Sequence, residues 1–273
     1  MILLRPSTHP CRQGTNEDSA VNHLAIARTV FCCVFGSSLL GLYLREKLPL
    51  HHLSDDSIGV VKLATGLIAT LAALVLGLLI SSAKSTYDTA SRELVQNAAM
   101  VIQLDRVLAR YGPGTLVIRQ TLKQSYSQAV DILESGDSVR LAQLNSPQTI
   151  NRSEALQGSI QSLAAANDIQ QAAKVQALQI VDEIFAARWL TLLQAHGAIP
   201  LPLLTVLVAW LSVIFGTFGL FAKANGTVIA ALMLCALSTS GAIFMIEALN
   251  RPLDGAVRVS VAPMRDTLIR MGQ

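Results

Sequence analysis

Four apolar stretches constrain the fold of this chain more than any other feature. Crossing the hydrocarbon layer of a bilayer takes roughly 20 mostly apolar residues in a helix, and each stretch is about that long, with few charges. They cover residues of about 25–44, 58–82, 199–221 and 226–249. A helix satisfies its own backbone hydrogen bonds inside lipid, so the sequence predicts four transmembrane helices and an all-α integral membrane protein. The chain is 52% hydrophobic and 14% charged, and the apolar excess is concentrated in these stretches.

The first stretch follows a polar tail and lacks a small-residue cleavage site, so we interpret it as a retained span and not as a signal peptide. The cysteines show neither CxxC nor Cys/His spacing, and they suit neither a disulfide framework nor a zinc site. We expect them to be packing residues. They are Cys11, Cys32, Cys33 and Cys235.

Four spans place both termini and the segment 84–197 on one side of the membrane, with two short loops on the other side. Cytoplasmic flanks of membrane helices carry an excess of Lys and Arg, which here is found on the side of the termini, so we expect cytoplasmic termini. Near the membrane this side carries Arg12, Arg28, Lys84, Arg92, Arg188, Arg251, Arg258 and Arg265, and the other side Arg45, Lys47, Lys62 and Lys223. The net charge of +3 gives no reason to expect nucleic acid as a partner.

The segment between the second and third spans has the pattern of helices throughout. In residues 92–112 apolar side chains recur at three- and four-residue steps, which indicates one buried face. They are Leu94, Ala98, Val101, Leu104, Leu108 and Tyr111. "YGPG" at 111–114 ends this helix. A helix over about 114–134 would then bury Ile118, Leu122, Tyr126, Ala129 and Leu133.

Turns are expected around 134–138 and 144–148, followed by helices over about 150–166 and 168–196. No glycine or proline occurs from 78 to 111. The sequence therefore predicts one unbroken helix of about 50 residues, roughly 75 Å long, that continues from the second span into the cytoplasm. Its membrane and cytoplasmic parts would move as one body.

This pattern divides the chain into five parts. We assign a cytoplasmic N-terminal tail, the first two transmembrane helices, a helical cytoplasmic domain, the last two transmembrane helices and a cytoplasmic C-terminal tail. Their bounds are 1–24, 25–83, 84–197, 198–249 and 250–273.

One face of the second span is narrow, small and slightly polar. At about 100° per residue, seven positions fall within an arc of roughly 100°. They are Lys62, Gly66, Thr70, Ala73, Gly77, Ser81 and Lys84. One interpretation is helix packing, since small residues let membrane helices approach closely and terminal lysines reach the head groups. The other is a water-accessible path on the axis of a ring of subunits, where hydroxyls replace part of an ion's hydration shell and lysines concentrate anions.

Charged residues continue this face at its cytoplasmic end, where Lys84, Asp88 and Arg92 stand at four-residue spacing. On a solvated helix such residues form weak surface pairs. Around a symmetry axis, Asp88 and Arg92 would instead form a cytoplasmic mouth that selects or gates ions.

The end of the fourth span carries a second candidate feature. Glu247 and Arg251 lie one helical turn apart and can neutralise each other where the helix leaves lipid. Pro252 then stops the helix, and Gly255 permits a sharp change of direction. The feature is either a stop signal with an interfacial ion pair or the start of a tail that docks against the cytoplasmic helices.

Three stretches together resemble a bacterial family of bestrophin-like membrane proteins, which is defined as a domain of unknown function. They are "LGLLISSAKSTYDTASRELVQNA" at 76–98, "WLSVIFGTFGLFAKANGTVIAALMLCALSTSGAIFMIE" at 210–247 and "LNRPLDGAVRVSVAPMRDTL" at 249–268. The label suggests similarity to bestrophins, which are pentameric anion channels with four spans per subunit, cytoplasmic termini and long helices that continue into the cytoplasm. The resemblance thus implies a homo-oligomer in the bacterial inner membrane, with the lipid bilayer, further copies of the chain and small anions as partners.

Three functions remain as candidates. The first is an oligomeric ion channel, with anions as the expected ions. The second is a non-conducting scaffold or sensor that docks a partner on its cytoplasmic helices. A stator subunit has a similar layout but would need a companion span bearing an acidic residue, which this chain does not supply. No paired carboxylates, nucleophile, metal set or cofactor motif is evident, so we expect neither an enzyme nor a cofactor nor a metal site.

Overall fold

The computed structural model describes residues 17–47, 55–144, 146–194, 201–253 and 256–272. These residues are almost entirely helical and contain no strand. The helices are α1 (Glu17–Lys47), α2 (Asp55–Tyr111), α3 (Leu116–Ser135), α4 (Ser138–Leu144), α5 (Pro147–Gln161), α6 (Asp168–Gln194), α7 (Leu201–Phe221), α8 (Gly226–Asn250) and α9 (Ala262–Arg270), and one 3₁₀ turn, Pro113–Thr115, lies between α2 and α3. The prediction of an all-helical protein is confirmed.

Four helices are long and apolar enough to cross a membrane, and they coincide with the four predicted spans. They include Leu24–Lys47, Ile58–Tyr111, Pro202–Phe221 and Gly226–Asn250. The second of these belongs to α2, whose 57 residues form one continuous helix roughly 86 Å long. The unbroken helix predicted from the absence of glycine and proline is therefore present. It ends where expected, because Gly112 has a φ of 116° that favours glycine.

The two halves of α2 belong to two separate apolar cores. Its first half packs against α7 and α8, which also pack against α1, and fully buried residues of this core include Val34, Leu207 and Ile243. Its second half packs against α3, α6 and α9, and α5 packs on α3 and α6, with Leu104 and Ile160 fully buried in this core. One long helix thus runs through both a membrane-type bundle and a second helical bundle.

The predicted buried faces agree with this second core, with one difference in register. Ala98, Val101, Leu104, Leu108 and Tyr111 are buried, and so are Ile118, Leu122 and Tyr126 of α3. Farther along α3, however, Val130 is the deeply buried residue, while Ala129 and Leu133 are only half-buried. At this end of α3 the buried face is therefore shifted by one residue from the predicted four-residue pattern.

Two short helices lie where the sequence pattern does not predict an element. α4 lies between the two turn-rich stretches at 134–138 and 144–148. α9 lies in the C-terminal tail, where Pro263 stands in its first turn. Both are shorter than an isolated helix needs to be stable in water, so contacts with the rest of the chain decide their conformation.

The crossing of α1 and α7 is a close approach between apolar helices. A Cβ added to Gly41 would collide with the carbonyl of Gly216 and lie 2.8 Å from the amide nitrogen of Leu220. A Cβ added to Gly219 would collide with the carbonyl of Ser38 and lie 3.0 Å from the amide of Leu42. Glycines at these positions let two membrane-type helices pack backbone against backbone.

The three cysteines among the described residues are not buried within the chain, as the expected packing role would require. Cys32 and Cys33 on α1 and Cys235 on α8 are exposed on the outer surface of the subunit. Cys11 lies outside the described residues. A cysteine in a membrane helix is tolerated on a lipid-facing surface because its side chain is small and apolar, so burial within the chain is not required.

Candidate functional site

The apolar half of α2 has a buried face that joins it to the rest of its own subunit. Thr65, Ala72, Leu79 and Ala83 are at most 7% exposed. They face α7 and α8, the helices against which this part of α2 packs. Thr65, Ala72 and Leu79 are seven positions apart, and Ala83 follows one turn after Leu79. The four residues therefore lie on one narrow contact line along the helix.

The seven residues singled out in the sequence form a different face, which we call the small-residue face. Every one of them is exposed: Lys62, Gly66, Thr70, Ala73, Gly77, Ser81 and Lys84. A Cβ added to Gly66 or Gly77 would meet no atom within 4 Å, in contrast to Gly41 and Gly219. Within the described residues, the small-residue face therefore makes no helix packing contact inside its own subunit.

A third face is also exposed but has large side chains, and we call it the leucine face. It consists of Val60, Leu63, Leu67, Leu71, Leu74 and Leu78. Leu63 is 80% exposed and Leu78 66%. At about 100° per residue, this face is centred roughly 90° around the helix from the small-residue face. Bulky aliphatic side chains suit lipid tails, whereas the small-residue face offers lipid little to contact.

The hydroxyl of Thr70 shows what the small-residue face offers chemically. It donates a hydrogen bond of 2.7 Å to the carbonyl of Leu67, one turn earlier in the same helix. Its proton is thus used within the helix, and the oxygen lone pairs are what remain for another partner. The positive charges of this face come from the two terminal lysines.

The charged residues at the end of this face are brought together by the helix. The Lys84 ammonium lies 2.9 and 3.2 Å from the two carboxylate oxygens of Asp88. Both side chains are substantially exposed, so the attraction is weakened by solvent. Arg92 donates a 3.2 Å hydrogen bond to the hydroxyl of Thr89. Asp88 therefore balances Lys84 locally, and Arg92 is held one turn farther along.

The end of the fourth apolar helix is where the sequence indicates it. α8 ends at Asn250, with Glu247 half-buried in its last turn and Arg251 exposed just beyond. The carbonyl of Pro252 accepts a 2.9 Å hydrogen bond from the amide of Val259, so the chain turns back within a few residues. Gly255 lies outside the described residues, and the Glu247–Arg251 pairing stays a prediction.

Beyond this turn the C-terminal segment docks on α2 and α3. The Thr267 hydroxyl lies 3.5 Å from the carbonyl of Ala98, and Lys123 donates to the carbonyl of Met271 at 2.9 Å. Met264 and Met271 belong to the core of the second bundle. The described residues 256–272 thus pack against α2 and α3, which is the docked tail of the second interpretation of the Pro252 feature.

A buried ion pair that sequence reasoning did not identify lies next to the docked tail. Asp105 is 2% exposed, and its carboxylate accepts hydrogen bonds from Arg119 and, at 3.2 Å, from the amide of Gly272. The only sequence signal was the position of Asp105 on the buried side of α2, four residues after Val101. Its partner is on another helix, which periodicity does not identify.

The environment of this pair shifts the pKa values of both groups. Burial by itself raises the pKa of Asp105, but the hydrogen bonds from Arg119 and Gly272 and the charges of Arg119 and Arg106 outweigh it, so the pKa lies below its usual value. The hydrogen bond to Asp105 raises the pKa of Arg119 against the opposing effect of burial. Both groups therefore stay charged, and the pair acts as a structural fastening between α2 and α3.

Two tyrosine hydroxyls are buried in the same bundle. Burial raises the pKa of Tyr126 to about 12, with a small opposing effect from the nearby Thr267 hydroxyl. The hydroxyls of Tyr111 and Tyr126 nevertheless make no hydrogen bond of good geometry with the described residues. The Tyr126 hydroxyl is therefore not ionised near neutral pH and does not have the properties of a catalytic base.

The described residues contain no group of three or more His, Cys, Asp or Glu side chains placed to hold a metal ion. An open groove of about 350 Å³ lies between α3 and α5. Its lining includes Thr121, Ser125, Gln128 and Arg152, most of which are exposed, so the groove does not enclose a small ligand.

Comparison with known proteins gives one family. The family model described as a bestrophin-like domain matches residues 32–264, which is most of the chain. The match extends from α1 into α9 and includes all of α2, α7 and α8. Comparisons with curated proteins and with solved structures give no match.

Proposed function

Because the chain belongs to the bestrophin-like family, we propose that it is an oligomeric membrane protein through which ions, and small anions in particular, cross the bilayer. Four apolar helices and the family support a multi-pass membrane protein. The finer parts of the proposal are the assembly of copies, the position of α2 at the centre and the permeation path along it.

The observation that carries the proposal is the exposure of the small-residue face. It is not used for packing within the subunit, and its glycines have open space in front of them. Lipid gains little from contact with glycine, alanine and serine, whereas another copy of the same helix can approach such a face closely. We therefore place the small-residue face toward other copies of the chain, and the leucine face toward lipid.

A ring of copies in this orientation has a central path lined by small side chains. From Lys62 to Ala83 the helix carries no aromatic residue, so the lining consists of glycine, alanine and hydroxyl groups. Lys62 and Lys84 stand at the two ends, where positive charge raises the local concentration of anions. Asp88 reduces this effect at one end, and Arg92 restores positive charge one turn farther on.

The placement of the chain in the membrane belongs to the same proposal. Residues 25–83 and 198–249 cross the bacterial inner membrane, and residues 84–197 form a helical domain in the cytoplasm together with the tails 1–24 and 250–273. The family resemblance to pentameric anion channels favours five copies. The continuous helix α2 then carries any movement of the cytoplasmic bundle directly into the membrane path.

Anion flux into liposomes tests this proposal. Purified protein should pass chloride or nitrate down a gradient, and Gly77→Leu or Ser81→Leu should reduce the flux to that of empty vesicles by filling the path. Ser82→Leu is the matched control, because Ser82 is also exposed but lies about 100° farther around α2 than Ser81, next to the leucine face and away from the small-residue face. Equal flux in wild-type protein, variants and empty vesicles overturns the proposal.

A second function is favoured by a different observation. Three large apolar side chains are exposed at the end of the second bundle, where α2 meets α3 and α6: Leu116 is 55% exposed, Val117 73% and Ile169 70%. Gln170 donates to the carbonyl of Tyr111 at 3.1 Å, which holds the two parts of this end together. Exposed apolar side chains at the end of α2 farthest from its apolar half suit a docking protein, as in a scaffold or sensor.

Proximity labelling in cells separates the two functions. A scaffold should label a stable partner, and Val117→Glu with Ile169→Glu should abolish that labelling. Val175→Glu serves as the control, because Val175 is 47% exposed but lies on the flank of α6. A partner that is retained in the double variant excludes this docking end.

A further inference from the structure

The C-terminal segment 256–272 is held by two kinds of contact that differ in chemistry. One half of these contacts is buried and mainly apolar: Met264, Thr267 and Met271 are at most 3% exposed. The other half is charged and consists of Arg258 and Arg265, which both reach the end of α3. Because the two halves depend on different forces, they respond differently to conditions.

The charged half binds the last turn of α3. Arg265 forms an ion pair with the carboxylate of Glu134, and Arg258 donates to the carbonyl of the same residue at 3.4 Å. Both guanidinium groups thus place positive charge at the C-terminal end of a helix, where the helix dipole favours it. Arg265 is 63% exposed and Glu134 31%, so dissolved salt screens their attraction.

Gly136 provides the space for this contact. Its φ is 60°, as is usual where a helix ends in the left-handed conformation. A Cβ at this position would collide with Nη1 of Arg258 and lie 2.8 Å from Cζ and 3.2 Å from Cδ. A methyl group there would therefore displace the guanidinium.

The same short stretch of tail also touches α2 where it leaves the apolar bundle. The Tyr87 hydroxyl donates a hydrogen bond of 3.4 Å to the backbone carbonyl of Arg258. Tyr87 directly precedes Asp88 and comes three residues after Lys84. Arg258, whose side chain reaches the end of α3, thus has its backbone bonded to Tyr87, the neighbour of the candidate mouth residue Asp88.

We propose that residues 256–272 form an electrostatic latch: Arg258 and Arg265 fasten the tail to Glu134 in the last turn of α3, beside Gly136, and the closed latch fixes the juxtamembrane segment 84–92 of α2 through Tyr87. High ionic strength opens the charged half while the methionines stay packed. The link to ion flux rests on the proposed function; the latch itself does not.

Hydrogen exchange of the full-length protein in lipid nanodiscs tests the latch. Glu134→Gln keeps the shape of the side chain and removes its charge, and at low salt it should speed exchange of the amides of 256–262 and of 84–92 by roughly two- to fivefold. At high salt the wild type should reach the same rates, since the Debye length falls to about 3 Å at 1 M.

Gly136→Ala should have the same effect by displacing Arg258. Gly112→Ala is the matched control, since Gly112 also has a positive φ but has only Gln170 as a neighbour, at 4.0 Å. The latch is overturned if exchange of the tail is the same in wild type, Glu134→Gln and Gly136→Ala, or if the tail exchanges faster while 84–92 stays fully protected.

Anion flux through the same proteins gives a separate reading. Glu134→Gln and Gly136→Ala should pass less chloride than Gly112→Ala, because the charged side chains at the mouth lose their fixed position. Equal flux in all three would overturn the link between latch and mouth. Absence of flux in wild-type protein would overturn the proposed function, while the exchange rates would still decide the latch.

Discussion

Asp105 of α2 and Arg119 of α3 form a two-pronged ion pair, with Nε at 2.7 Å and Nη2 at 2.9 Å from the two carboxylate oxygens. Their side chains are 3% and 17% exposed. The pair closes the connection between α2 and α3, and the amide of Gly272 attaches the C-terminal segment to the same carboxylate. Three parts of the second bundle therefore depend on one buried charge.

Asp105→Asn should destabilise the protein strongly. Removing one partner leaves the Arg119 guanidinium without its counter-charge, which costs about 3 kcal/mol for a buried pair. Asp131→Asn is the control, because Asp131 is an exposed aspartate on α3. Thermal unfolding in detergent measures both, and equal midpoints for the two variants would contradict the structural role of the pair.

The same pair predicts how stability depends on acid. The pKa of Asp105 is lower in the folded protein than in the unfolded chain, so the unfolded state binds the proton more readily. The stabilisation is therefore fully present above the ordinary carboxyl pKa of about 4 and is lost as the pH falls below that value. Unfolding midpoints measured from pH 7 to pH 3 should fall more steeply for the wild type than for Asp105→Asn, and parallel curves would exclude the effect.

The glycine crossing of α1 and α7 predicts a strong dependence on a single methyl group. Gly41→Ala or Gly219→Ala places a Cβ against backbone atoms of the facing helix, which cannot rotate away, and should destabilise the protein by roughly 1–3 kcal/mol. Gly36→Ala, on the same α1 helix, has no atom within 4 Å of the new Cβ. It should be neutral or slightly stabilising in the same unfolding experiment, because alanine has a higher helix propensity than glycine. Equal loss in all three variants would contradict the role of the close crossing.

Tyr111→Phe should preserve or raise stability. The hydroxyl is buried without a hydrogen-bond partner among the described residues, so its removal relieves the cost of leaving water and leaves the ring in the core. The expected gain is about 1 kcal/mol in unfolding free energy. A clear loss of stability in Tyr111→Phe would reveal a hydrogen bond from that hydroxyl.

Much of this fold follows from local signals in the sequence. The four apolar stretches and the absence of glycine and proline from 78 to 111 were sufficient to predict the apolar helices and the continuous helix α2. Gly112 ends that helix because its positive φ favours glycine, as the "YGPG" motif predicts. These features depend on residues that are near each other in the chain, so periodicity detects them.

The features that were missed depend on distant partners. Arg119 lies 14 residues from Asp105, and Arg258 lies 124 residues from Glu134. α9 is too short to be stable alone and forms where Met264 and Met271 find a core. For the candidate site, the pattern identified the small-residue face but could not show that α2 packs in its subunit through Ala72 and Leu79 instead. The prediction that the cysteines are packing residues was wrong for Cys32, Cys33 and Cys235. Composition does not distinguish an exposed side of an apolar helix from a buried one.

Cysteine cross-linking between copies tests most directly whether the small-residue face of one copy contacts the small-residue face of another. Single cysteines at Ala73 and Gly77, in a chain whose native Cys11, Cys32, Cys33 and Cys235 are replaced by serine, should give covalent dimers on oxidation in membranes. Cysteines at Leu74 and Leu78, one position later on the leucine face, are the matched controls and should remain monomeric. Dimers at the leucine positions alone, or at no position, would contradict a central α2 and the permeation path built on it.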